Sequence, residues 1–203
     1  AFKNNIDVHS ATASEIFNVP LENVTPDHRR SAKAINFGLI YGMSAFGLTR
    51  QLGIPRNEAQ AYLDTYFERY TGVKDYMEST KELAKKNLFV ETILGRKLHV
   101  ATINDPNGLR RKAAERAAIN APLQGSAADI IKKAMIDVDQ WIGVNNPDIK
   151  MIMQVHDELI FEVKKEFAVD ALNEIVNLME CSVKLKIPLI VDANQGTNWN
   201  EAH

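Results

Sequence analysis

The stretch TPDHRRSAKAINFGLIYG, residues 25–42, gives the strongest structural signal in the chain. Thr25 is a preferred helix N-cap, Pro26 suits the first helical position, and Asp27 places an acid in the first turn. Together these residues predict a helix that begins at Pro26 and runs to about Gly42.

One face of this predicted helix combines cations with aromatic rings. Four residues recur at four-residue steps and therefore share a slowly winding face: Arg29, Lys33, Phe37 and Tyr41. Cations in the first turn oppose the helix dipole, so we expect an anionic partner there. A phosphate chain would pair with the cations, and the rings further along would meet a sugar and a base. This order of groups fits a nucleoside triphosphate, although an amphipathic helix with a solvated basic face has the same spacing and is commoner.

A second signal lies in residues 151–163, where two apolar runs enclose His156, Asp157 and Glu158. The runs predict an antiparallel hairpin with the three polar residues at its tip. Two adjacent carboxylates repel each other, so this tip favours a divalent cation with oxygen ligands, such as magnesium. An ordinary polar turn is the commoner interpretation of an Asp–Glu pair.

The remaining patterns predict a mixed, predominantly helical α+β chain. Helical patterns cover residues 6–17, 43–52, 55–70, 73–86, 110–120, 124–142 and 167–181. Pro122 is expected to interrupt the helix between the fifth and sixth of these segments. Residues 89–94 and 97–100 predict a short hairpin, and residues 189–191 predict a strand.

Composition excludes several classes of protein. The chain has 203 residues, of which 45% are hydrophobic and 25% charged, close to the average for soluble globular proteins. No apolar run is long enough for a membrane-spanning helix, so no membrane partner is expected. The single cysteine, Cys181, cannot form an internal disulfide, which favours a reducing cytoplasm.

Charge is segregated along the chain although the net charge is only −2. Residues 25–50 and 110–116 are basic, whereas residues 157–180 are acidic. Affinity for nucleic acid must therefore come from local basic patches and not from the field of the whole molecule.

The strings RRSAKAINFGLIYG at residues 29–42 and QVHDE at residues 154–158 identify a family resemblance. The first closely resembles the nucleotide-binding fingers helix of family A DNA polymerases, the bacterial DNA polymerase I type. The second is similar to the catalytic palm motif of the same family. The resemblance extends over residues 1–203 but covers only the C-terminal part of the family's polymerase domain.

The resemblance implies a role for each of several residues. The implied nucleotide-binding residues are His9, Arg29, Lys33, Phe37 and Tyr41. Arg29 and Lys33 would bind the triphosphate, Phe37 would pack on the incoming sugar, and Tyr41 would occupy the template-base position in the open site. The implied catalytic residues are Asp157, Glu158 and Lys33.

The resemblance also implies a metal site and contacts with DNA. Asp157 and Glu158 would be the metal ligands, in a scheme with two Mg²⁺ ions that activate the primer 3′-hydroxyl and hold the leaving pyrophosphate. The implied contacts with primer-template DNA are Ser44, Phe46, Thr92, Arg96, Arg111, Arg116, Asn120, Gln124 and His156.

The domain expectation is a mainly fingers subdomain at residues 1–105 and the C-terminal part of the palm at residues 106–203. We expect the palm strand with the other catalytic aspartate, the thumb and any exonuclease domain to precede Ala1. The parent protein would then add deoxynucleoside triphosphates to a primer 3′-hydroxyl in DNA replication and repair, in the bacterial cytoplasm and associated with the nucleoid. The 203-residue piece is expected to be inactive, and exposed palm edges would favour its self-association.

Two other functions compete with this interpretation. A non-catalytic nucleic-acid-binding module needs the basic segments at residues 25–50 and 110–116 but not the carboxylates of Asp157 and Glu158 at the hairpin tip. A single-subunit RNA polymerase shares the architecture, but Phe37 and the close match of both motifs favour the DNA enzyme.

Overall fold

The computed structural model describes residues 6–145 and 148–202 and confirms a predominantly helical α+β chain. The chain divides into two compact units, Ala1–Gly125 and Ser126–His203. The elements are α1 (Val8–Phe17), α2 (Pro26–Ile40), α3 (Ala45–Leu52), α4 (Arg56–Arg69), α5 (Thr71–Asn87), β1 (Phe89–Glu91), β2 (Lys97–His99), α6 (Gly108–Asn145), β3 (Ile149–Val155), β4 (Glu158–Val163), α7 (Ala168–Cys181) and α8 (Trp199–Ala202). The assignment of residues 1–105 to fingers and 106–203 to palm stays a prediction.

Local sequence signals set the two ends of α2. The Thr25 hydroxyl accepts a hydrogen bond from the His28 N–H at 3.2 Å, and His28 Nδ1 accepts from the Thr25 N–H at 3.4 Å. This capping box confirms the predicted start of the helix. The helix ends at Ile40, slightly before the expected end, because Gly42 adopts a left-handed φ of 69°.

Unit Ala1–Gly125 has two hydrophobic cores. The first packs α1 to α4 around Ile35 and Leu48, which are 0% and 1% exposed. The second packs the β1–β2 hairpin with α5 and α6 around Val90 and Ala118. Burial of these side chains from four helices fixes α2 against α1, which is the arrangement that builds the candidate site.

Helix α6 is continuous from Gly108 to Asn145, so the predicted interruption at Pro122 is wrong. Proline removes one helical N–H donor and crowds the preceding turn, but its fixed φ is compatible with a helix. The alanine-rich sequence on both sides favours the helical conformation, and the Tyr76 hydroxyl donates to the neighbouring Ile119 carbonyl at 2.8 Å.

Unit Ser126–His203 contains the second predicted hairpin. Strands β3 and β4 are antiparallel, with Ile149 opposite Val163 and Val155 opposite Glu158, and the register shifts between Met151 and Met153. Within the described residues this sheet has two strands, so each strand has an edge without a neighbouring strand. Self-association through these edges stays a prediction.

The predicted strand at residues 189–191 is wrong, because this segment is irregular. The Val191 N–H donates to the Glu180 carboxylate of α7 at 2.9 Å, so a side chain takes the place of a neighbouring strand. In the part of the chain that the structure describes, every helix falls short of the length or the apolar character needed to cross a bilayer.

Candidate nucleotide and DNA interface

The five residues predicted to bind a nucleotide lie together on α1, on α2 and at Tyr41, the residue that directly follows α2. The His9 and Phe37 ring centroids are 5.7 Å apart, and those of Phe37 and Tyr41 are 6.1 Å apart. Lys33 Nζ lies 6.0 Å from the Phe37 centroid. Phe37 and Tyr41 are 43% and 40% exposed, so both rings remain accessible to a ligand. We call this surface the nucleotide face, defined by His9, Arg29, Lys33, Phe37 and Tyr41.

Arg29 of the nucleotide face is held by Asp7, which the sequence analysis did not single out. The Arg29 guanidinium donates from Nε and Nη2 to the two carboxylate oxygens of Asp7, at 3.1 and 2.8 Å. Asp7 also caps α1 by accepting from the Ser10 N–H at 2.6 Å. The bond from Arg29, and then that from Ser10, lower the pKa of Asp7 far below its usual range.

Two carboxylates of the chain therefore neutralise part of the positive charge at the start of α2: Asp7 pairs with Arg29, and Asp27 pairs with Arg30. Arg30 pairs with Asp27 at 2.7 Å in a largely exposed contact. Lys33 makes no ion pair within residues 6–145 and 148–202. Lys33 is thus the cation of the nucleotide face that is ready to meet an anionic ligand.

His9 contacts the buried side chain of Asn36, which in turn contacts the buried Thr12; the sequence analysis singled out neither residue. Asn36 Nδ2 lies 3.0 Å from His9 Nδ1 and 3.0 Å from Thr12 Oγ1. Burial lowers the pKa of His9, and the nearby charges of Arg29 and Lys33 lower it further, whereas Asp7 raises it. The only sequence signal for Asn36 was a polar residue on the inward face of α2.

The predicted template contacts Ser44 and Phe46 lie at the start of α3. The Ser44 hydroxyl accepts from the Gly47 N–H at 3.4 Å, so its structural role is to cap the helix. Phe46 is 62% exposed and presents a ring that a base can stack on.

The predicted DNA contact Arg116 packs against the turn that follows α2. A Cβ placed on Gly42 would lie 2.8 Å from Arg116 Cγ, so the stem of this arginine approaches the Gly42 backbone closely. Arg116 is exposed on α6. The structure therefore brings Arg116 to the end of α2, beside the helix that carries the nucleotide face.

Thr92 and Arg96 link the β1–β2 hairpin to α6. Arg96 Nη2 donates to the Gly125 carbonyl at 2.9 Å, and the Arg96 N–H donates to the Thr92 hydroxyl at 3.0 Å. A Cβ on Gly125 would lie 2.6 Å from Thr92 Cγ2. Both residues thus have a structural role in addition to the predicted contact with DNA.

The other predicted DNA contacts on α6 differ in their surroundings. Arg111 Nη1 donates to the Asp105 carbonyl at 3.0 Å, near the start of the helix. Asn120 Oδ1 is buried and accepts no hydrogen bond from the described residues, whereas Gln124 is exposed. A buried acceptor without a donor is costly, so Asn120 is the strongest candidate among these for contact with a ligand.

The predicted metal ligands lie at the tip of the β3–β4 hairpin. His156 and Asp157 form its turn, with His156 at a left-handed φ of 52° and its carbonyl accepting from Gln154 Nε2 at 2.8 Å. Glu158 begins β4, and Asp157 and Glu158 are both exposed.

Carboxylate oxygens at this tip suit Mg²⁺, which prefers oxygen ligands and keeps several waters. Among residues 6–145 and 148–202, no three or more His, Cys, Asp and Glu side chains are grouped to hold a metal. The two carboxylates therefore fit part of a magnesium site.

A scan against protein families matches DNA polymerase family A over residues 1–201. The chain is 56% identical over 203 residues to DNA polymerase I of Pseudomonas aeruginosa, covering 100% of this chain and 22% of that protein. It is 50% identical over 209 residues to DNA polymerase I of Rhizobium leguminosarum, covering 100% of this chain and 21% of that protein. The chain thus spans about a fifth of the length of these curated relatives.

A similar fold occurs in the POL domain of Pol1 from M. smegmatis, solved in complex with DNA primer-template and dNTP. The TM-score is 0.95 at 43% identity, over 100% of this chain and 36% of that one.

Proposed function

Since this chain belongs to DNA polymerase family A, we propose that it forms the nucleotide-binding face and part of the metal site of a template-directed DNA polymerase. The observation that carries the proposal is the nucleotide face, where two cations, one histidine and two exposed rings lie on adjoining helices. The Pol1 domain of similar fold is complexed with primer-template and dNTP, which supports the same partners here.

The nucleotide face orders the ligand along α2. Arg29 and Lys33 bind the triphosphate, Phe37 packs on the deoxyribose, and Tyr41 holds the template-base position before a nucleotide enters. Arg29 is positioned for this role by the bidentate pair with Asp7. Lys33 neutralises charge on the phosphates that leave as pyrophosphate.

Membership of the family implies a metal cofactor, and we propose that Asp157 and Glu158 hold Mg²⁺. Bound as two ions, the metal would neutralise charge on the primer 3′-hydroxyl and on the triphosphate during in-line displacement. His156 contacts DNA beside the primer end.

The other predicted residues hold the primer-template. Their order along the chain is Ser44, Phe46, Thr92, Arg96, Arg111, Arg116, Asn120 and Gln124. The amides of Asn120 and Gln124 bind minor-groove acceptors that every base pair presents, which checks pair geometry without reading sequence. Such a polymerase acts on bacterial DNA in replication and repair, in the cytoplasm and at the nucleoid.

The test uses a hybrid in which this chain replaces the matching segment of the Pseudomonas aeruginosa relative. Asp157→Ala should abolish Mg²⁺-dependent primer extension while primer-template affinity, measured by fluorescence anisotropy, is retained. Asp192→Ala, an exposed aspartate of the same compact unit, is the matched control and should leave extension unchanged. Undiminished extension by Asp157→Ala would contradict the role of Asp157 in the metal site. A hybrid with Asp157 intact that binds primer-template but extends no primer would favour a non-catalytic nucleic-acid-binding module.

The 203-residue chain alone is proposed to bind dNTP without extending a primer. Its hairpin tip offers two carboxylates, fewer than a site for two ions uses together with the substrate phosphates. Extension by the purified chain in Mg²⁺ would contradict this.

A further inference from the structure

Two buried side chains behind the nucleotide face have no part in the proposed reaction. Thr12 of α1 and Asn36 of α2 are 1% and 6% exposed. Asn36 Nδ2 lies between Thr12 Oγ1 and His9 Nδ1, 3.0 Å from each. His9 itself is half-buried and faces the Phe37 ring.

The chemistry of Thr12 determines which way these hydrogen bonds run. The Thr12 hydroxyl has one proton, and the Val8 carbonyl at 2.8 Å can only accept it. Asn36 Oδ1 also lies 3.3 Å from Thr12 Oγ1, but this contact is longer than the one to the Val8 carbonyl. With its proton on the shorter bond to Val8, Thr12 Oγ1 accepts from Asn36 Nδ2 at 3.0 Å. One proton of this Nδ2 goes to Thr12 and the other to His9.

The second proton of Asn36 Nδ2 determines the tautomer of His9. Because His9 Nδ1 accepts a hydrogen bond, it carries no proton, and the neutral ring has its proton on Nε2. The charged imidazolium would direct an N–H at the amide protons of Asn36. Burial disfavours the imidazolium most. Of the charged groups that face His9, Asp7 at the start of α1 favours the imidazolium, whereas Arg29 and Lys33 of α2 disfavour it.

We propose that Asn36, oriented by Thr12, is a positioning residue that holds His9 as the neutral Nε2–H tautomer, which donates to a phosphate oxygen of the bound nucleotide. The donation rests on the proposed function, because it requires a triphosphate on the nucleotide face. An ionised phosphate oxygen accepts hydrogen bonds and has no proton to donate, so the opposite tautomer would present a lone pair to it.

The first experiment measures the ¹⁵N chemical shifts of the His9 ring in the labelled 203-residue chain as a function of pH. Near neutral pH, Nε2 should be protonated and Nδ1 unprotonated. A proton on Nδ1 in the unmodified chain overturns the proposal, and this result requires no variant to fold.

The second experiment replaces the amide donor by an acceptor. In Asn36→Asp the carboxylate can accept from Nδ1–H, so the pKa of His9 should rise by about one unit or more and its neutral form should change tautomer. Asn57→Asp, an exposed position on α4, is the matched control and should leave the His9 titration unchanged. An unchanged His9 in Asn36→Asp overturns the proposal.

Nucleotide affinity provides the functional readout. The quantity compared is the dNTP affinity of the Asn36→Asp chain divided by that of the unmodified chain. This ratio should be at least about tenfold lower above the raised pKa of His9 than below it, because one hydrogen bond to a charged group contributes about that factor. The triphosphate titrates equally for both proteins, so the ratio of affinities isolates His9. A ratio independent of pH overturns the donation to phosphate.

The experiments distinguish failure of the proposed nucleotide binding from failure of the positioning role of Asn36. If neither chain binds dNTP while the NMR results are as expected, the proposed function fails although the tautomer is fixed as described. If dNTP binds but the tautomer does not respond to Asn36→Asp, the positioning role fails and the proposed function stands.

Discussion

Gly42 offers a measurable test of the contact between the end of α2 and α6. Its φ is 69°, and a Cβ there would lie 2.8 Å from Arg116 Cγ. Gly53, at the end of α3, has the same φ of 69° but nothing within 4 Å of a Cβ. Substitution to alanine at the two positions therefore separates backbone strain from the clash with Arg116.

The magnitudes follow from these two terms. A left-handed non-glycine residue costs about 1–2 kcal/mol, so Gly53→Ala should lower the free energy of unfolding by that amount. Gly42→Ala should lower the free energy of unfolding by about 1–3 kcal/mol more than Gly53→Ala does, which is the usual cost of overpacking. Arg116 Cγ is close to its own backbone, so a change of rotamer moves it little.

The assay is urea unfolding of the 203-residue chain, followed by far-ultraviolet circular dichroism. Arg116→Ala removes the clashing Cγ, so the double variant Gly42→Ala/Arg116→Ala should recover the excess loss and leave only the backbone cost. Equal losses at Gly42 and Gly53, or no recovery in the double variant, would show that Arg116 does not approach Gly42 in solution.

Two further predictions concern the ion pair and the core. Asp7→Asn keeps the cap of α1, since asparagine caps as well as aspartate, but removes the charge that Arg29 binds. The pKa of Asp7 is lowered in the fold, so its stabilisation is present above the usual value of 3.8 and is lost as the pH falls through that value towards the folded pKa. Thermal melts across this acid range should show the unmodified chain losing more stability than Asp7→Asn, and parallel losses would contradict the ion pair. Leu48→Ala, at 1% exposure, should lower the unfolding free energy by about 2–5 kcal/mol. In the same melts Leu109→Ala, at 78% exposure, should change it by less than about 0.5 kcal/mol, and similar losses at both sites would place Leu48 outside the core.

The elements of the fold were predictable where their signals are local. Thr25 and Pro26 set the start of α2, Gly53 ends α3, and the apolar runs around His156 pair as a hairpin. Each of these outcomes depends on residues within a few positions of one another, so the sequence alone contains the physical cause.

The predictions that failed depended on surroundings that no local pattern describes. Pro122 was expected to break a helix that the flanking alanines keep continuous. Residues 189–191 have a strand-like sequence, but Val191 bonds to Glu180 and not to a neighbouring strand. A strand requires a partner, and sequence periodicity does not say whether one is adjacent.

The sequence by itself determined which residues carry cations, rings and carboxylates, and helical spacing placed Arg29, Lys33, Phe37 and Tyr41 on one face. Only the tertiary structure decided what holds that face in place. Packing of α1 on α2 brings Asp7 to Arg29 and Asn36 to His9 across 22 and 27 positions of sequence. Such contacts form because burial of the two helices against each other fixes their relative position, and that free energy is a property of the whole core and not of either segment.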